Sequence, residues 1–454
     1  MSVFLISFLN LIVAQDNNNH LKIFIIFIFI IIYIPNRLNE NFMSVTTPLL
    51  PVPEKLWNRS FILSVCNNLF LFIYYFALLT VLPIYIMKDL GGTVKEAGLA
   101  LTLFLASSIA IRPFSGLIIE RLGKKISFRG SELFFVLFAF SYLWIDSMWS
   151  LLLVRFLHGI WFSILTSVAV PIANDFIPEH RKGEGMGYFV MSTNLGVVFG
   201  PLLALMVLQF SNVKVLFLLL CIIMCISLVF CWLLNIKDVS IEVLNHSQSI
   251  EQKTNSKLAN LSWHDLVEVK VIPISLVGLL TALAYSSIMN FIVAYSESKN
   301  LLAYTGAFFV VFAISMIIVR PWMGRFYDHH GPSSVMYPSL LSFSIGLLIV
   351  SFVSHQLVLW LSAIFIGVGY GSVFACLQTL AIQSVSKQRM GHAISTFFAL
   401  FDIGMAIGSV FMGVLIAWYG FSMTYMICAF IIIFALFLYK LMVVPTLSVP
   451  VRQS

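Results

Sequence analysis

Past Met43 the chain falls into twelve apolar runs separated by short polar breaks, at roughly 60–87, 96–119, 127–145, 149–177, 183–209, 213–235, 267–296, 303–326, 334–353, 356–384, 391–417 and 421–443. Each is long enough for a helix to cross a hydrocarbon core of ~30 Å. Pro and Gly are spread through these runs, which suits membrane helices packed in a bundle better than the two-residue alternation of an outer-membrane barrel. The pattern predicts an all-α membrane protein. The runs divide six and six around a polar stretch, Asn235 to His264, that carries Lys237, Glu242, Lys253 and Lys257. We therefore expect two six-helix lobes, 43–234 and 266–454, joined by a linker at 235–265.

Residues 1–42 stand apart. Their apolar run, Leu21 to Ile34, is only about fourteen residues long, short for a membrane span, and no small-residue cleavage site follows it. Nearly all of Asn17 to Phe42 consists of residues whose codons are rich in A and T. The expectation is a start at Met43, with the prefix being upstream sequence read as protein.

The two lobes repeat each other. Ile111-Arg-Pro-Phe-Ser-Gly116, followed by Glu120 and Gly123, returns as Val319-Arg-Pro-Trp-Met-Gly324, followed by Asp328 and Gly331. Arg112 and Arg320 are 208 residues apart (320 − 112 = 208), and the same offset relates Gly159 to Gly367, Arg181 to Arg389, Gly183 to Gly391, Gly196 to Gly404 and Gly200 to Gly408. A duplicated set of membrane helices predicts a transporter whose substrate sits between halves that rock against each other.

Composition agrees with lipid as the solvent: 60% of residues are hydrophobic and 10% charged. The net charge of +7 does not point to nucleic acid, because the Lys and Arg are dispersed at segment ends. Placing both termini in the cytoplasm puts Arg121, Lys124, Lys125, Arg129, Arg181, Lys182, Arg325, Lys387 and Arg389 in inner loops. The outer loops then hold only Lys88, Lys95, Lys214 and Lys299. This bias predicts the orientation, in a bacterial cytoplasmic membrane. The six cysteines lie in apolar segments without a CxxC pair, so no metal site or cofactor is expected. Neither HExxH nor GxSxG nor a Walker A pattern is present, which argues against an enzyme and against ATP use.

Gly116-Leu-Ile-Ile-Glu-Arg-Leu-Gly-Lys-Lys125 resembles the loop between the second and third helices of the major facilitator superfamily, G-x-x-x-D-R-x-G-R-R/K, with Glu120 where Asp is usual. The resemblance implies a gating element built from Gly116, Glu120, Arg121, Gly123 and Lys124. Glu120 would meet the positive dipole end of the eleventh helix. The second copy, Gly324 to Gly331, lacks the basic pair, and its Asp328 would face the start of the fifth helix. Asp175-Phe-Ile-Pro-Glu-His-Arg181 is similar to a further loop of that superfamily, and Arg155-Phe-Leu-His158-Gly159 to its R-x-x-Q-G element. Asn194-Leu-Gly196-Val-Val-Phe-Gly200-Pro201 matches the first part of the G-x-x-x-G-P-x-x-G-G element of drug:proton antiporters, but the trailing glycines are absent, Leu203, Ala204 and Leu205 standing in that stretch. Gly196 and Gly200, with Gly404 and Gly408, would permit close helix packing, and Pro201 would free a carbonyl.

Charges inside the bundle are costly and call for a role. They are Arg112, Arg155, Arg320 and Asp402, with His158 on much the same face as Arg155. Asp402 matches Asn194 in the first half (402 − 194 = 208), so one lobe alone carries the acid. Two readings are open: a proton carrier, or an ion pair of Arg112 with Asp402, with Arg320 near Asn194 by symmetry. The superfamily's path is lined by the first, fourth, seventh and tenth helices, which here offer Asn67, Tyr74, Tyr285, Asn290, Tyr370 and Gln378 beside Arg155 and His158. An aromatic-rich pocket suits amphipathic or cationic organic solutes. The resemblance implies a monomeric proton-coupled exporter of a small molecule. The alternative is uptake or export of a specific metabolite such as a sugar, amino acid or metallophore.

Overall fold

A computed structural model of the protein describes residues 55–236 and 266–447. The expectations for residues 1–42, and for all of the linker except Asn235 and Ile236, lie outside the described residues.

Every long element is helical. The first half holds α1 (Arg59–Lys88), α2 (Val94–Ser141), α3 (Met148–Asp175), α4 (Lys182–Phe210) and α5 (Val213–Leu233). The second holds α6 (Ile272–Ser298), α7 (Thr305–His330), α8 (Pro332–Ser351), α9 (Gln356–Gln383) and α10 (Met390–Leu438). These ten are long and apolar enough to cross a membrane. Polar side chains start several of them. Asn58 accepts from Phe61 N–H at 2.9 Å, Asn212 from Val215 N–H at 3.0 Å, and Thr93 and Glu96 form a reciprocal capping box on α2.

Twelve expected spans and ten helices reconcile at two glycines. α2 has 48 residues, about 72 Å at 1.5 Å per residue, twice what a bilayer needs. Gly123 (φ 80°, ψ 159°) breaks it into two crossings, and Gly420 (φ 78°, ψ 171°) does the same to α10. Gly331, 208 residues after Gly123, has φ 81° between α7 and α8. Only glycine adopts such angles without strain, so one residue turns the chain where a loop would otherwise be needed.

The repeat holds in three dimensions. Gly159 on α3 lies against the carbonyl of Phe104 and the side chain of Ser107 on α2; Gly367 on α9 lies against Phe312 and Ser315 on α7. All three positions shift by 208. Gly196 and Gly200 seat α4 on α1, against Phe72, Ile73 and Ala77, and Gly404 and Gly408 seat α10 on α6, against Leu279 and Leu283. Each glycine replaces a side chain that would collide with backbone, which is how small residues bring membrane helices together. Pro201 lies within α4, which continues past it to Phe210. Across the halves, α2 packs on α10 and α4 on α7.

Candidate functional site

Between the two halves lies a cavity of about 430 Å³, lined from α1 to α4 and from α6, α9 and α10. That volume suits a small organic solute. Its walls are aromatic: Tyr75 stacks on Phe162 with centroids 4.9 Å apart, and Tyr285 on Tyr370 at 3.6 Å and 9°. Polar groups punctuate this surface, among them Asn68, Asn194, Asn290 and Gln378. Asn290 donates to Ser409 Oγ at 2.8 Å.

One ion pair stands in the cavity wall. Arg112 Nε on α2 donates to Asp402 Oδ2 on α10 at 2.9 Å, with side-chain exposures of 4% and 22%. Nη1 stays within the first half, reaching Thr166 Oγ1 at 2.8 Å, Ser167 Oγ at 3.2 Å and the Ser163 carbonyl at 3.3 Å. Phe398 covers it at 4.6 Å. Three hydroxyl or carbonyl oxygens on α3 therefore solvate the cation, while the partially exposed acid faces the cavity. A buried pair of this kind costs desolvation that good geometry offsets, and removing one member leaves the other stranded.

The other expected site residues separate into distinct places. Tyr285, Asn290, Tyr370 and Gln378 line the cavity; Asn67, Tyr74, Arg155 and His158 do not. Asn67 instead donates to Glu132 Oε1 at 2.7 Å and Ser227 Oγ at 2.8 Å, inside the first half. Tyr74 packs on Phe135 and His158. Arg155 donates to the Ala100 carbonyl at 3.3 Å and lies over the Phe104 ring at 4.2 Å. His158 is enclosed by Tyr142, Phe135 and Phe104, with Tyr142 Oη 3.4 Å from Nδ1. Arg320 makes no hydrogen bond with Asn194: its three guanidinium nitrogens and Asn194 Nδ2 are buried without a partner among the described residues.

The end of the bundle that bears the basic loops is shut by a symmetric seam. A Cβ on Gly116 would lie 2.7 Å from His392 Cα, and one on Gly324 would lie 2.5 Å from Glu184 Cα. Both contacts obey the 208-residue offset, since 392 − 184 = 208. Asp328 reaches the start of α4, where Oδ1 accepts from Gly183 N–H at 2.6 Å and Oδ2 from Glu184 N–H at 3.0 Å. That helix has no side-chain cap of its own. A carboxylate from the opposite half thus satisfies its free amides and its dipole. Glu120 reaches α10 through side chains instead, with Oε2 3.3 Å from His392 Nε2 and 3.9 Å from Arg389 Nη1. Arg389 holds Glu268 more closely, at 2.8 Å. Lys124 pairs with Asp175, Arg181 with Glu184 at 2.6 Å, and Arg121 is exposed.

Three residues of consequence escaped the sequence reading. Glu184 takes Arg181 from its own half and Arg325, at 3.2 Å, from the other. His392 is its counterpart in the repeat, so extending the 208-residue arithmetic past the glycines would have found both. Glu132 is wholly buried, with Oε1 bonded to Asn67 and Ser227. It lies inside the third apolar run, 127–145, and its position there was the signal that could have found it.

A family model described as Major Facilitator Superfamily matches residues 63–408 and 274–454. "Multidrug resistance protein MdtG" of Klebsiella pneumoniae (strain 342) is 24% identical over 364 residues, 78% of this chain and 86% of that one. The protein of the same name from Rahnella sp. (strain Y9602) is 26% identical over 372 residues, again 78% and 86%. Among solved structures, the human organic anion transporter MFSD10 (TETRAN) superposes with a TM-score of 0.69 at 15% identity, covering 85% of this chain and 99% of that one. At that identity the likeness speaks for the fold alone.

Proposed function

This chain belongs to the Major Facilitator Superfamily, and on that premise we propose that it exports a small amphipathic or cationic organic solute in exchange for protons. The observation that carries this reading is the Arg112–Asp402 pair, which joins the two lobes at the wall of an aromatic cavity. The similarity to proteins named for multidrug resistance supports the same direction.

The bias of Lys and Arg puts the basic loops in the cytoplasm. The seam of Gly116, Gly324 and Asp328 then closes the cytoplasmic side, and the cavity faces outward. A proton arriving from outside neutralises Asp402 and removes the charged acceptor from Arg112 Nε. The guanidinium keeps its oxygens on α3, so the cation stays solvated while the bond between lobes weakens. With the tie between α2 and α10 loosened, the lobes rock, the cytoplasmic side opens, and the proton leaves. A cationic solute entering from that side favours the ionised acid, so solute and proton exclude each other. That mutual exclusion is what couples the two fluxes. The protein works as a monomer, because each copy contains both lobes and a complete path.

The test is a reconstituted vesicle with an imposed pH gradient, screened against lipophilic cations and small metabolites. The wild type should accumulate a cation against its gradient, and Asp402→Asn, which mimics the protonated acid, should lose uphill transport and bind the cation more weakly. Uphill transport retained in Asp402→Asn would exclude that residue as the carrier. Selective movement of one metabolite would favour the alternative of a dedicated metabolite transporter.

A further inference from the structure

Arg112 and Arg320 are equivalent by the repeat, yet their surroundings differ completely. The positions that serve Arg112 are Ser163, Thr166, Ser167 and Asp402; 208 residues away, Arg320 finds Gly371, Phe374, Ala375 and Asn194. The two hydroxyls and the carboxylate have been lost, leaving of the original acceptors only a backbone carbonyl at Gly371, and Asn194 Nδ2 itself has no partner among the described residues. Arg320 is 3% exposed, and Nε, Nη1 and Nη2 all lack an acceptor among the described residues. A guanidinium carries a permanent charge and five N–H donors. Burying it unpaired is costly, as it is for any lone interior ion.

Arg320 lines a small cavity, separate from the large one. It has about 20 Å³ of free volume, room for one water-sized particle and far too little for an organic solute. Ser372 lines it too, buried and with no partner for its Oγ among the described residues. The wall is completed by Gly183 and Gly187 of α4, from the opposite lobe. A Cβ on Gly187 would come within 3.9 Å of the Arg320 carbonyl.

We propose that Arg320 and Ser372 bind a small monovalent inorganic anion of chloride size, in a site complete only while α4 is closed against α7. The chemistry is that of a charge-assisted anion site: guanidinium N–H and a serine O–H donate, and the ion neutralises a charge that the repeat has left without its acid. Because one wall belongs to the other lobe, the ion binds the closed form better than the open one. By linkage it then favours closure of this end. The site makes no use of Asp402, so it stands or falls separately from the proton cycle.

The experiment compares melting of the purified full-length protein in chloride and in gluconate at equal ionic strength, using chloride itself as the probe. Chloride should raise the melting temperature of the wild type by about 2–4 °C, the shift should vanish in Arg320→Met, and it should shrink in Ser372→Ala. If Arg320→Met does not fold, crystals of the wild type soaked in bromide should show an anomalous peak between Arg320 and Ser372. Equal melting in the two salts, a chloride shift unchanged in either variant, or water alone at that position would overturn the assignment.

Discussion

Asp328 caps a helix that is not its own: its carboxylate accepts from Gly183 N–H at 2.6 Å and Glu184 N–H at 3.0 Å across the boundary between the lobes. A cap of this kind contributes about 1–2 kcal/mol, and here that stabilisation exists only while the lobes touch. Asp328→Ala should therefore shift the open–closed equilibrium at this end by roughly 5–30-fold toward open. Spin labels at His180→Cys and Gln388→Cys, both on exposed loop positions, in a background without native cysteines, would report it as a longer distance. An unchanged distance distribution would show that Asp328 is not a latch.

Closure also depends on two glycines that admit backbone to backbone. With His392 Cα 2.7 Å from the place of a Gly116 Cβ, Gly116→Val has no flexible side chain to push aside. The same label pair should lengthen more in Gly116→Val than in Asp328→Ala. Gly98→Ala, with nothing within 4 Å of its Cβ, should leave it unchanged.

Glu132 separates structure from transport. Replacing it by Leu removes the acceptor that Asn67 Nδ2 and Ser227 Oγ share and leaves them only their bonds to each other, at a cost of about 1–3 kcal/mol, whereas Gln keeps an oxygen in place. Glu132→Leu should melt several degrees below the wild type and Glu132→Gln much nearer to it, with transport driven by a pH gradient retained in Glu132→Gln. Loss of that transport in a well-folded Glu132→Gln would put Glu132 on the proton path.

In the cavity, Tyr370 offers a ring already stacked on Tyr285 at 3.6 Å. Cation–π contact with such a surface is worth about 0.5–2 kcal/mol, so Tyr370→Leu should weaken binding of a lipophilic cation by roughly 2–30-fold. Equilibrium binding in detergent checks this. Neutral solutes of equal size should lose less, and equal losses for both would leave only shape.

The fold was legible because lipid imposes one rule on every span: long, apolar and helical. The repeat was legible because glycines at helix crossings cannot be replaced without collision, so Gly116, Gly159 and Gly196 kept partners 208 residues on. The Arg112–Asp402 pair could be named as one of two readings, since a buried acid and a buried base at matching depths each need an explanation. What stayed hidden depended on helix rotation. Asn67 and Tyr74 lie on a helix that borders the cavity, yet they turn into their own lobe, and the uniformly apolar composition of α1 gives no polar face to reveal it. Arg320 was expected beside Asn194 because symmetry of position implied symmetry of bonding. The loss of two hydroxyls to Phe374 and Ala375 was visible in the sequence only to a comparison of the neighbours as well as the charge.

The one-residue turns at Gly123 and Gly331 leave no slack between the arms they join. Adding a single residue beside either would swing the following helix about 100° around its axis and advance it about 1.5 Å, turning its lipid-facing side inward. Insertions tolerated in ordinary loops are thus forbidden at these corners. The spacing between the duplicated halves is for that reason mechanically locked there, and side chains such as those around Arg320 have been free to diverge while the count of residues has not.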